Sequence, residues 1–363
     1  MLTDPAQDRC FMAAAIRFSL RNLGRTATNP SVGTLIVDDH GIIVGRGVTA
    51  VGGRPHAEPQ ALAEAGERAK GATAYVTLEP CAHHGRTPPC ANALVAAGIR
   101  RVVGAAADPD PRVAGRGYAI LRDAGIDVTE GVLATEASDA MAGYLMRSLN
   151  KRPYVTLKLA LSADDMIGRE GKGQLPITGA TARAQVQMMR AASDAIMVGI
   201  NTALADDPLL TVRLSGLEGR SPIRIVLDKN SRLPLQSNLV RTARDVPVRI
   251  AASVDNDRRA KLEAAGVGIL AVEEFDGRIA MPELLEDLAS QGIANLFIEG
   301  GAATARALLT DGLVDRLVLF KGAMKIGRGG IASPIAWDTP LQGFHLTRES
   351  RFGDDLCREW RRD

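Results

Sequence analysis

Cysteine is scarce in this chain, with four in 363 residues, too few for the disulfide framework of a small secreted fold. The expectation is a cytoplasmic protein with reduced thiols. Net charge is missing too. With 44 Lys and Arg against 42 Asp and Glu, no electrostatic footprint marks a nucleic-acid or membrane binder. No apolar run approaches the roughly 20 residues that a membrane-spanning helix needs. The start, "MLTDPAQDRCFMAAAIRFSL", has an apolar patch but carries Asp4 and Asp8 and no basic leader. It reads as an amphipathic helix and not as a signal peptide. Histidine occurs only at positions 40, 56, 83, 84 and 345, so candidates for a metal ligand are few.

What is present points to an ordinary globular protein, 46% apolar and 24% charged, long enough that two domains are the better expectation. The first half alternates strand and helix patterns. "VGTLIV" (32–37), the turn "DDHG" and "IIVGRGV" (42–48) predict a hairpin, and a helix follows from about Ala57. "ATAYVTL" (72–78) reads as a buried strand, and "PPCANALVAAG" (88–98) as a helix entered through prolines and closed by Gly98. "RVVGAAA" and "IDVTEGV" are further strands, with the helix "GRGYAILRDAG" between them. This is a three-layer α/β pattern. It breaks at "SLNKRPY" (148–154), which sets expected domains at 1–148 and 149–363. A second α/β series follows, with strands at 154–161, 195–200, 223–228, 248–253, 294–300 and 315–320 and a helix at 181–192.

The chemistry of the first half lies in "RPHAEPQALAEAG" and "LEPCAHHGRTPPC". His56, Cys81 and Cys90 offer the nitrogen and thiolates that zinc prefers. Three protein ligands leave a fourth position for water, as catalytic zinc sites do. Cys90 stands at a predicted helix start, where backbone amides favour the thiolate. Glu58, two residues from His56, is suited to shuttle a proton between water and a leaving nitrogen. His-x-Glu followed by Pro-Cys and a second Cys is the zinc-deaminase pattern. A closed structural site with His83 or His84 as fourth ligand is the competing reading.

The second half carries weaker signals. "LFIEGGAATARALL" puts two glycines between a strand and a helix start, either a phosphate cradle or a plain tight turn. "GINTALADDPLLTVR" (199–213) reads as a strand end followed by an acidic loop, catalytic or merely turn-capping. "KIGRGG" (325–330) reads as a loop.

"HAE", "YVTLEPCAHHGRTPPC" and "ATNPSVGTLIV" resemble the deaminase half of the bifunctional riboflavin-biosynthesis deaminase–reductase family. "VTLKLALS", "ITGATARAQVQMMRA", "DAIMVGINTALADDPLLTVR" and "LFIEGGAA" resemble, in order, its reductase half. The resemblance implies a cytidine-deaminase-like three-layer α/β/α domain followed by a dihydrofolate-reductase-like α/β domain. It implies one Zn2+ per deaminase domain, NADPH, a phosphorylated pyrimidine substrate and a homo-oligomer. By motif position, Asn29 and Arg86 would bind the deaminase substrate. Ala160, Thr202, Asp206, Gly300 and Gly301 would face NADPH. Arg190, Leu210, Arg213 and Glu299 would hold the reductase substrate. Asp206 would aid proton transfer, and Lys158 would lie near the sugar, although a lone Lys on a strand can also be an edge charge. The family has Ser-Leu-Asp-Gly where this chain has "SADD" (162–165), and Trp-Ile-Thr-Gly where it has "PITG" (176–179). Asp165 in place of Gly restricts the backbone, and Pro176 removes an aromatic surface. These departures leave one alternative, a deaminase with a degenerate reductase-like binding domain. A nucleic-acid deaminase and a zinc-stabilised scaffold are the other rivals.

Overall fold

β1 (Gly33–Val37) and β2 (Ile43–Val48) form the expected antiparallel hairpin. β3 (Thr73–Leu78), β4 (Arg101–Ala106) and β5 (Asp127–Thr129) complete a five-stranded sheet of order β2-β1-β3-β4-β5. β3, β4 and β5 run parallel. With them come α1 (Pro5–Ser19), α2 (Ala57–Ala65), α3 (Cys90–Ala96), α4 (Arg116–Asp123), α5 (Ala134–Ala140) and α6 (Ala142–Asn150). In this computed structural model, which describes residues 4–82, 88–110 and 114–363, the chain divides into two units, Met1–Lys151 and Arg152–Asp363.

Glycines decide how closely helices approach the first sheet. A Cβ on Gly33 would stand 2.3 Å from the Ala15 carbonyl of α1. Gly45 and Gly47 do the same for α2, where a Cβ would meet the Ala61 and Ala57 carbonyls at 2.2 and 1.8 Å. Gly47 is registered with Thr34, the neighbour of Gly33. Since neighbours on a strand point to opposite faces, α1 and α2 cover opposite faces of the sheet. The period-two glycines of β2 thus hold α2, and the His56 and Glu58 at its start, against the strand. Gly47→Ala should displace that helix at a cost of about 2 kcal/mol. Denaturant unfolding should show the loss, with deaminase activity falling in the same variant.

The second unit contains β6 (Tyr154–Leu161), β7 (Met166–Arg169), β8 (Ala195–Gly199), β9 (Ile223–Leu227), β10 (Val248–Ala252) and β11 (Gly268–Ala271). They are followed by β12 (Glu274–Phe275), β13 (Arg278–Ile279), β14 (Asn295–Glu299), β15 (Arg316–Lys321), β16 (Gly330–Ala332), β17 (Phe344–Phe352) and β18 (Asp355–Arg362). The helices are α7 (Ala180–Ala191), α8 (Ile200–Asp206), α9 (Asn238–Arg241), α10 (Asp257–Ala264), α11 (Met281–Ser290) and α12 (Ala302–Thr310). Nine strands form one sheet in the order β11-β10-β9-β8-β14-β6-β15-β18-β17, parallel from β11 to β15 and antiparallel beyond.

Alternation along the strands makes two cores. Met197, Ile225, Ile298 and Leu319 join one, and their neighbours Ile196, Val226, Phe297 and Phe320 join the other with Val186 of α7. On β6, Val155, Leu157, Leu159 and Leu161 face the first core. Thr156, Lys158 and Ala160 therefore face the α7 side, half-buried. Among the described residues no helix is long and apolar enough to cross a membrane.

Three sequence expectations change. The segment after β8 is a helix, α8, and not an acidic loop, and the loop begins only at Asp207, whose φ is +39°. Gly330 of "KIGRGG" opens β16, which pairs with β7. Lys158 is no edge charge, because β6 lies between β14 and β15. Asp165 takes the left-handed conformation itself, at φ +57°, which explains why glycine suits the position. Its carboxylate pairs with Lys321 at 3.0 Å, while neighbouring Asp164 accepts from the amides of Ile326 and Gly327. The departure is thus built into the local structure.

Candidate active sites

His56 is the N-cap of α2 and Glu58 sits in its first turn. Cys81 follows β3, and Cys90 is the first residue of α3. His56 Nδ1 lies 3.4 Å from Cys90 Sγ and 3.8 Å from Cys81 Sγ. Tetrahedral zinc, with bonds of about 2.0 Å to nitrogen and 2.3 Å to sulfur, puts neighbouring ligands of these types roughly 3.6 Å apart. The donors already stand near that spacing. Among the described residues, these three are the one His, Cys, Asp or Glu group that could hold a metal ion. His83, His84 and Arg86 lie outside the described residues.

Local hydrogen bonds prepare one thiol to act as a thiolate. Cys81 is pulled down to about 4, first by its hydrogen bond with Cys90 and then by His56. The Cys90 amide donates to Cys81 Sγ at 3.3 Å. Cys90 itself is pushed up by its side-chain hydrogen bond with Cys81 and by burial. The bond to Cys81 raises His56. Glu58 is buried, and burial followed by the charge of Cys81 pushes it up to about 6.

Glu79 is a residue the sequence reading missed. Its buried carboxylate accepts from the amides of Gly115 and Gly117 at 3.0 and 2.9 Å, capping the start of α4 from a distance. A Cβ on Gly117 would meet the Pro80 carbonyl at 2.0 Å. The Glu79-Pro80-Cys81 turn is therefore pinned to α4. Asn29 packs against the segment leading into His56, where a Cβ on Gly53 would touch its Nδ2 at 2.3 Å.

In the second unit the sheet gathers residues far apart in sequence. Glu299 is registered directly with Lys158 in the β14–β6 ladder. Its carboxylate bonds Arg190 Nε at 2.6 Å and lies 4.0 Å from Lys158 Nζ. Burial alone would raise Glu299, but Arg190, Lys158 and Arg213 together hold it below its ordinary value. Burial lowers Lys158, against the pull of Glu299. Arg190 also donates to the Thr211 carbonyl, so much of its guanidinium is engaged internally, whereas Arg213 is exposed. Ala160 lies on the Lys158 face of β6. Leu210 has its side chain in the core and φ +55°, so any substrate contact there falls to its backbone.

Beside this cluster, β8 and β14 are neighbours, and each leads into a helix through a glycine N-cap, Gly199 for α8 and Gly301 for α12. Neither cap uses a side chain, which leaves first-turn amides for an anionic ligand. A Cβ on Gly301 would meet Thr202 Oγ1 at 3.0 Å, and one on Gly199 would meet Thr304 Oγ1 at 2.6 Å. The glycines keep this surface narrow and free of side chains, which fits the phosphates of a dinucleotide. Asp206 closes α8, half-buried and raised by that burial.

Two sequence families match the chain: the cytidine and deoxycytidylate deaminase zinc-binding region over residues 5–106, and the RibD C-terminal domain over residues 153–357. The riboflavin biosynthesis protein RibD of Escherichia coli (strain K12) is 42% identical over 332 residues, spanning 88% of this chain and 89% of that protein. The chain belongs to the RibD family. Acinetobacter baumannii RibD superposes with a TM-score of 0.86 at 36% identity, over 99% of this chain and 100% of that one. The Thermotoga maritima diaminohydroxyphosphoribosylaminopyrimidine deaminase/5-amino-6-(5-phosphoribosylamino)uracil reductase gives 0.87 at 30% identity, over 99% of each. As in RibD, a cytidine-deaminase-type domain precedes the reductase domain here. The chain is a bifunctional enzyme of riboflavin biosynthesis, a zinc-dependent deaminase and an NADPH-dependent reductase. The deaminase-only alternative is not favoured, because the RibD C-terminal family spans nearly the whole second unit.

Proposed function

We propose that the first unit deaminates 2,5-diamino-6-(5-phosphoribosylamino)pyrimidin-4-one and that the second reduces the ribosyl group of the product to ribityl. The observation that carries this is the His56, Cys81 and Cys90 triangle with buried Glu58 beside it, in a chain whose second unit sets Lys158, Arg190 and Glu299 together. Zinc held by the triangle supplies a Lewis acid that activates water near neutral pH. Glu58 takes the proton of the attacking water and hands it to the departing amino nitrogen. Asn29 orients the pyrimidine, and Arg86 meets the phosphate.

NADPH supplies the hydride for C1′ of the sugar. Thr202, Gly300 and Gly301 would hold its phosphates, with Ala160 and Asp206 alongside. Asp206, half-buried, aids transfer of the proton that accompanies the hydride. Glu299 fixes Lys158 beside the sugar, and Arg190 braces Glu299. Exposed Arg213 is suited to grip the 5-phosphate, since its planar fork makes paired charge-assisted bonds. Incubation with the deaminated intermediate and NADPH should consume the cofactor's near-ultraviolet absorbance. No consumption would remove the reductase half of this reading.

Two coarser expectations belong with it. None of the four cysteines is paired in a disulfide, in keeping with a reducing, cytoplasmic compartment. β17 is a nine-residue strand at one edge of its sheet, an edge able to pair with a second copy in a homo-oligomer. A monomer mass by light scattering at every concentration would remove that element.

A further inference from the structure

The loop from Asp207 to Arg213 has no strand or helix of its own, yet side chains hold it at nearly every step. Asn238 donates to the Asp207 carboxylate through its backbone amide at 2.8 Å and its Nδ2 at 3.0 Å. Arg190 donates to the Thr211 carbonyl, Val212 N to Ser221 Oγ, and Arg213 N to Gln187 Oε1. At the centre, Arg224 Nη1 donates to the Leu209 carbonyl at 3.0 Å, one residue before the left-handed turn at Leu210.

Arg224 rises from β9 and is 0% exposed. Nη1 and Nη2 also donate to the turn after α9, to Thr242 Oγ1 at 2.8 Å, the Thr242 carbonyl at 2.9 Å and the Val246 carbonyl, while Nε is left without a partner among the described residues. All of these acceptors are neutral. Burial brings its pKa down to about 10, so the side chain stays charged at neutral pH. A buried cation without a bonded carboxylate is costly, and an apolar residue would fill the same space more cheaply. What an apolar residue cannot do is hold three carbonyls from two separate segments in fixed directions, which a planar five-donor fork can. Asn238, which grips Asp207, is the first residue of α9. Loop 207–213 and the α9 segment are thus clamped at two points.

We propose that Arg224 is a positioning residue of the reductase, locking Leu209 to the turn after α9 so that Leu210 and Arg213 are presented to the substrate. This rests on the reading of Arg213 as a substrate contact. The test uses the full zinc-loaded chain, the deaminated pyrimidine substrate and NADPH, with Arg224→Gln, Arg224→Lys, Thr242→Val and Arg213→Ala. Arg224→Gln should raise KM for the pyrimidine about tenfold or more, as small misplacements of binding groups do. The Kd for NADPH, read by nicotinamide fluorescence, should stay within about twofold, because Arg224 bonds none of the residues assigned to the cofactor. Arg224→Lys should recover part of the loss. Thr242→Val, which removes one acceptor and keeps the arginine, should shift the same constant by a smaller factor, and it decides the matter if Arg224→Gln does not fold. A rise in KM for Arg213→Ala without one for Arg224→Gln or Thr242→Val overturns the positioning role alone. Parallel weakening of pyrimidine and NADPH binding overturns it as well, since general loosening would do that. An unchanged KM for Arg213→Ala overturns the substrate reading, and the proposal with it.

Discussion

Glu58→Gln should lower ammonia release about a thousandfold, within the range that a positioned acid–base group contributes. The amide keeps the size of the side chain and its place in the first turn of α2. Glu58 bonds the Cys90 side chain but is not itself one of the three donors, so zinc content by metal analysis should remain near one per chain. The second unit is untouched, and NADPH oxidation with the deaminated intermediate should proceed at the normal rate. This split separates a proton shuttle from a structural acid. A variant that keeps zinc, fold and full ammonia release would show that Glu58 moves no proton.

Glu299→Gln should damage the other half, through electrostatics rather than shape. Glu299 is flanked by Arg190 at 2.6 Å and Lys158 at 4.0 Å, with side-chain exposures of 16%, 11% and 14% respectively. Removing the one carboxylate leaves two poorly hydrated cations facing each other. Breaking a buried pair typically costs 3–5 kcal/mol, and the residual solvent contact argues for the lower end, about 3 kcal/mol. Reductase activity should fall by at least about tenfold as Lys158 loses its anchor, while ammonia release stays intact. The pH dependence has a defined sign. Because the folded state holds Glu299 below its ordinary value, its contribution is fully present above the unfolded Glu range. It disappears as pH falls through the folded value. The wild type should therefore lose more stability than Glu299→Gln across that acidic window, as measured by urea midpoints at a series of pH values.

The two halves differed in how far their residues gave them away. The metal site was legible because its chemistry is local: His56 and Glu58 open one helix, and Cys81 and Cys90 flank one short loop. Residue type and spacing sufficed. The Lys158–Glu299–Arg190 cluster was legible only through family resemblance. Its members are brought together by strand β14 inserting beside β6, a pairing no local pattern encodes. α8 was hidden because seven residues ending at Asp206, with Asp207 and Pro208 directly after, look like a turn, and short helices owe their stability to packing more than to propensity. The β17–β18 hairpin escaped for another reason. β17 is mostly exposed and rich in charge, so it carries no apolar alternation, and the residues that anchor β18 include Asp355 and Glu359. Gly45 and Gly47 did leave a trace, since two glycines at period two in a strand ask what lies so close above them. The clamp at Arg224 left none, as three of its four acceptors are backbone carbonyls and the fourth is one threonine hydroxyl.

The central claim is that one chain carries two sequential chemistries on a single precursor, and one assay tests it. The purified protein is given the diamino pyrimidine substrate and NADPH, with and without a zinc chelator, while ammonia and nicotinamide absorbance are followed together. Chelation should stop both signals, and adding the deaminated intermediate should restore NADPH oxidation alone. NADPH oxidation from the diamino substrate in the chelated protein, or none from the intermediate, would contradict it.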